Sequence, residues 1–82
     1  MTKQEFLKKY AYAPSSANDC HQITWNLIEE MKETFNNEQI ELDTAIGATH
    51  YEIDCVLEVI REDVVDYKFL KQMKEDLESV EI

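Results

Sequence analysis

Glycine and proline are almost missing from this 82-residue chain, which holds one of each, Gly47 and Pro14. A many-stranded sheet needs tight turns and tight turns draw on those two residues, so the composition argues against an all-β protein. Cysteine is scarce too. Cys20 and Cys55 are too few for a disulfide framework and read as reduced thiols. No segment approaches the roughly 18–20 apolar residues of a membrane span, and the opening MTKQEFLKKYAYAP has no secretory hydrophobic run. The expectation is a soluble protein of the cytoplasm. Cations are the last scarcity: eight Lys and Arg stand against eighteen Asp and Glu, a net charge of −10. Nucleic acids and anionic membranes are bound through Lys and Arg, so neither is an expected partner. A basic protein would instead be attracted.

What is present is an ordinary globular content, 44% apolar with three Phe, four Tyr and one Trp, enough to fold a charged chain. A chain of this length buries only roughly 60–65% of its unfolded surface, which supports one core. The expectation is a single domain over residues 1–82. Its charge is uneven: residues 1–18 sum to +2, residues 19–66 to −11 and residues 67–82 to −1. The acidity lies in the middle, and it serves either solubility or the attraction of a basic partner.

Spacing assigns the helices. Thr2-x-x-Glu5 has the form of a capping box, followed by Phe6, Leu7, Tyr10 and Ala11 on one face and a stop at Pro14. Ser15 or Ser16 can cap a second helix, with Cys20, Ile23, Leu27, Met31 and Thr34 as its buried stripe. Trp25, Ile28 and Phe35 widen that stripe, and Asn36-Asn37 ends it. Ile40 to Ile46 predicts a short third helix closed by Gly47 as a left-handed cap. Thr49-x-x-Glu52 reads as a second capping box, opening a fourth helix on Ile53, Val56, Leu57, Ile60 and Val64. Val65, Phe69, Leu70, Met73, Leu77 and Val80 continue it, or form a fifth helix capped by Asp63 or Asp66. The fold class is therefore all-α, one compact domain of four to five short helices.

From Leu42 to Ile60 the order short helix, glycine turn, helix has the form of a helix-turn-helix-like unit. Its second helix is ill suited to reading DNA. At ~100° per residue, Tyr51, Asp54, Glu58 and Glu62 share the face opposite the core stripe, and an acidic strip repels phosphates. Three roles fit the strip: a solvated face, a docking surface for a basic segment with Tyr51 adding aromatic area, or an imitation of DNA phosphates. Trp25 reads as core or as an interface anchor.

Cys20 and His21 are adjacent and His50 and Cys55 are five apart, neither of which is a zinc-ligand spacing, so no metal is expected. One glycine cannot build a phosphate loop, and no nucleophile–base–oxyanion set is visible. No catalytic residue and no cofactor are assigned.

The stretch MTKQEFLKKYAYAPSSANDCHQITWNLIEEMKETF, the chain length and the acidic helical remainder resemble the RIII-type lysis-inhibition accessory proteins, the cytoplasmic antiholins of T-even-type bacteriophages. The resemblance runs over the whole chain and rests on no diagnostic motif. It implies a non-enzymatic protein of the host cell cytoplasm that binds the cytoplasmic N-terminal segment of the phage holin. Acting with a periplasmic antiholin, it would delay pore formation and lysis, meeting the membrane only through the holin. On this reading Tyr51, Asp54, Glu58, Glu62 and Trp25 are the candidate partner-binding residues. A homo-oligomer is a further option, because short helices can leave an apolar stripe for a second copy. The competing expectation is an acidic helix-turn-helix-like or DNA-mimic regulator that binds and inhibits a host nucleic-acid-binding protein.

Overall fold

A computed structural model describes residues 1–11, 22–60 and 65–82. Four α-helices occur in it: α1 (Lys3–Tyr10), α2 (Gln22–Asn36), α3 (Leu42–Val59) and α4 (Val65–Glu78). The chain is all-helical, as its composition predicts.

The first helix starts where the capping box places it. The Thr2 hydroxyl accepts from the Glu5 amide at 3.2 Å and the Glu5 carboxylate accepts from the Thr2 amide at 3.1 Å. Those bonds satisfy two amides that the first helical turn leaves without partners, and the Thr2 amide holds the exposed Glu5 carboxyl below its usual pKa. Asn36 closes α2 as expected. The expected caps at Ser15, Ser16 and Asp63 lie outside the described residues, as do Cys20, His21 and Val64.

The expected third and fourth helices are one. An unbroken eighteen-residue helix runs from Leu42 to Val59 with Gly47 inside it, so the turn that a helix-turn-helix-like unit requires does not exist. A glycine inside a helix costs about 1 kcal/mol relative to alanine. One face carrying Ala45, Thr49, Ile53 and Val56 into the core outweighs that penalty, because each large apolar side chain buried contributes about 1.5–3 kcal/mol. Thr49 is likewise not a cap: it is a buried mid-helix residue. The helix ends at Ile60, whose backbone turns extended (ψ 157°) while its amide still bonds the Val56 carbonyl. Whether the chain breaks before its last helix, which spacing left open, is decided there. Asp66 then sits in the first turn of α4, where a carboxylate suits the helix dipole.

The α2–α3 pair is an antiparallel hairpin joined through residues 37–41, α4 packs on α3, and α1 closes on α4. Phe6 is the junction of the core. Its ring lies 5.0 Å from Tyr10, 5.7 Å from Phe35 of α2, and Tyr10 in turn meets Phe69 of α4 edge-on at 5.6 Å. Leu70, Met73 and Leu77 supply the face of α4 that is fully buried. On α2 the buried stripe is Thr24, Leu27, Ile28, Met31 and Phe35. It is rotated from the expected one: Thr24 is inside, whereas Ile23 is 43% exposed.

Two polar clasps cross between helices. Asp76 of α4 accepts from Lys9 Nζ at 2.7 Å, from the Tyr10 hydroxyl, and from Gln72 at 3.2 Å. Asp54 of α3 meets Lys74 Nζ at 2.7 Å, and His50 lies between Asp54 (3.4 Å) and Glu78 (2.9 Å). Both clasps tie α4 to its neighbours.

Candidate functional site

The α2–α3 hairpin leaves one face uncovered. A trough runs along it, and its floor is made by Ile23 and Leu27 of α2 with Val56 and Val59 of α3. Val59 is 66% exposed, while Leu27 and Val56 are buried. Farther along the same hairpin, Thr34 faces Ala48 and Thr49 in a second depression that shares Leu27, Glu30 and Glu52 with the first. The two depressions are therefore one continuous trough.

Helix periodicity puts it there. On α3 the residues Ala48, Glu52, Cys55 and Val59 follow i, i+4, i+7 and i+11, one stripe beside the core stripe Ala45, Thr49, Ile53 and Val56. The second stripe has no helix packed over it among the described residues. Glu30 and Glu52 form its rim, and Asn26 adds a polar amide.

The charged residues that line the trough are the acids Glu30 and Glu52. Lys9 and Lys74 are committed to Asp76 and Asp54, and Lys32 pairs with Glu29 at 3.2 Å. No cation lines the trough among the described residues. Beside it, the neighbouring Cys55 thiol holds the exposed Tyr51 phenol above its usual pKa, and the nearby negative charges of Glu52 and Glu58 act in the same direction.

The expected site residues separate in space. Tyr51 and Glu58 are exposed on α3, to one side of the trough stripe and outside its lining. Asp54 turns the other way, to Lys74 and His50 in the α3–α4 clasp. Glu62 lies outside the described residues. Trp25 is half-buried and lies roughly 160° round α2 from the mean direction of the trough residues. Spacing did not single out Ile23, Glu30, Cys55 and Val59 as a site. The available signal was a second apolar run at helical spacing, Cys55 and Val59, just outside the stripe that fills the core.

His50 and Cys55 also part company, His50 facing α4 and Cys55 exposed by the trough. Among the described residues no three His, Cys, Asp or Glu converge to hold a metal ion. No helix among them is long and apolar enough to cross a membrane. No known protein family, no characterised protein and no solved structure matches this chain.

Proposed function

We propose that this protein is a non-enzymatic binding protein that holds a segment of another protein. The observation that supports the reading is the uncovered α2–α3 face, where apolar side chains, Ile23 and Val59 among them, stay in contact with water. Exposed apolar area arranged contiguously and rimmed by polar groups is the usual form of a protein-binding surface.

The sequence resemblance supplies the identity of the partner. It is the cytoplasmic N-terminal segment of a phage holin, bound in the host cell cytoplasm, with a periplasmic antiholin acting on the other side of the membrane. A holin triggers by lateral assembly, and a protein with higher affinity for the unassembled form shifts the equilibrium toward it by that difference in affinity. Lysis is thereby delayed without any chemical step.

The test is calorimetric titration of the purified protein with a synthetic holin N-terminal segment, paired with lysis timing when the protein is supplied in trans. Saturable binding and a later lysis are expected. Absence of heat at millimolar segment, or lysis on an unchanged schedule, would overturn this function. The rival reading as a helix-turn-helix-like regulator loses its turn in the continuous α3. Its DNA-mimic form predicts competition with duplex DNA for a host protein, which a gel-shift competition measures.

A further inference from the structure

We infer that the α2–α3 trough takes an amphipathic helix of about three turns, with lysine or arginine along both edges of its apolar stripe. The inference rests on the protein-binding reading above and gives that reading a location and a ligand chemistry.

Length comes first. The trough pairs Ile23 with Val59 at one end and Thr34 with Ala48 at the other, spanning most of α2. The stretch from Ile23 to Thr34 is about 17 Å long at 1.5 Å per residue. A guest helix laid along it thus meets the hairpin over about three turns. Helix-in-groove recognition uses anchors at i, i+3, i+4 and i+7 from such a guest, and the Ile23, Leu27, Val56 and Val59 floor is apolar where those anchors fall.

Charge selects the guest. Glu30 and Glu52 stand on the rim from opposite helices, and Glu58 adds negative charge near Tyr51 on α3. None of the three takes part in an ion pair or hydrogen bond with a described residue. By contrast Asp54, Asp76 and Glu29 are neutralised within the fold. Carboxylates without a cation partner thus stand on the rim of the apolar floor. A guest that covers the floor brings its edge residues next to them, and opposite charge there accelerates encounter and fixes register.

The same charges disfavour other occupants. A second copy docked face to face by a two-fold axis would set this acidic rim against the same acidic rim of its partner. An anionic lipid headgroup or a nucleic-acid phosphate would meet the carboxylate rim.

The experiment uses the full chain and a capped fifteen-residue peptide of leucine and lysine, with leucines at helical spacing and lysines on both edges. An isomer with glutamate in place of lysine serves as the second probe. The expected result is saturable binding of the lysine peptide and at least tenfold weaker binding of the glutamate isomer. Amide shifts on adding the lysine peptide should concentrate on residues 23–34 and 48–59. Val59→Lys, and separately the Glu30→Lys/Glu52→Lys pair, should each weaken binding at least tenfold. The pair should also flatten the salt dependence, whereas a charge-matched Glu38→Lys/Glu75→Lys pair should change affinity less than threefold. Circular dichroism of every variant should match the parent, and Val59→Lys, already at an exposed position, guards against loss of fold in the charge-reversed pair. No binding of the lysine peptide, shifts centred elsewhere, or equal effects of the two charge pairs would overturn the inference. A holin segment that binds outside the trough sinks this inference and leaves the proposed function standing. A lysine peptide that occupies the trough while the holin segment does not bind does the reverse.

Discussion

At Gly47 there is neither a turn nor a close approach to justify a glycine. It lies inside α3, and a Cβ built on it meets nothing within 4 Å. Gly47→Ala should therefore stabilise the protein by about 0.5–1 kcal/mol, mainly by reducing the freedom of the unfolded chain. Urea denaturation measures it, and a loss of stability would show that the backbone there is strained. Thr24 is the complementary case. Its side chain is fully buried, and its hydroxyl is the one buried side-chain polar atom without a hydrogen-bond partner among the described residues. Replacing such a group by an apolar one of the same shape removes a desolvation penalty of about 1–3 kcal/mol. Thr24→Val is expected to raise the urea midpoint, and a lower midpoint would reveal a hydrogen bond that the static geometry lacks. Spacing misleads at Gly47, because glycine is the usual helix terminator, and carries no signal at Thr24, because hydroxyl residues are rarely buried whole.

Between elements, the Lys9–Tyr10–Asp76 clasp is the main polar tie of α1 to α4. Burial, followed by the hydrogen bond to Asp76, pushes the Tyr10 phenol from 10.0 up to about 12. A folded-state pKa raised above the unfolded value means that the native state holds the proton more tightly. The associated stability is complete below pH 10 and is lost as pH rises from 10 to about 12. Lys9, raised chiefly by its bond to Asp76, adds to the loss in the same direction. Asp76 runs oppositely: Lys9 and then Tyr10 hold its carboxyl below the usual value, so its contribution disappears only as pH falls through that lowered value. Thermal melts should thus fall steeply above pH 10, and Tyr10→Phe should flatten that fall while costing about 1 kcal/mol at neutral pH. Ultraviolet titration of the phenols provides the check. All tyrosines of the folded parent ionising together near 10 would contradict it. The clasp itself was not legible in the sequence. Its partners are 66 and 67 positions apart, and helical spacing carries no information across that distance.

For the molecule as a whole, the net charge of −10 matters more than any single pair. Like charges on a compact body repel, and salt screens them over a Debye length of roughly 10 Å at 0.1 M. The melting temperature should therefore rise between 10 and 200 mM sodium chloride. A fall would mean that the clasps, which salt weakens, outweigh the repulsion. The same excess of carboxylates, with Glu30 and Glu52 on the rim of the α2–α3 trough, is the basis of the proposal that this face selects a basic guest.

The all-helical class, the capping box at Thr2, the end of α2 at Asn36 and most of the core were determined by local sequence. Propensity, capping and 3.6-residue periodicity act within a few residues of one another. The tertiary structure decided what depends on which side of a helix another helix occupies. It carried α3 straight through Gly47, because packing a continuous face outweighs one glycine. It drew Asp54 into a clasp with Lys74 and left Tyr51 and Glu58 exposed, dividing a strip that periodicity alone had united. It also left the stripe of Ala48, Glu52, Cys55 and Val59 uncovered. Two adjacent stripes on one helix look alike in sequence, and only the placement of α2 and α4 determines which becomes core and which remains open to a partner.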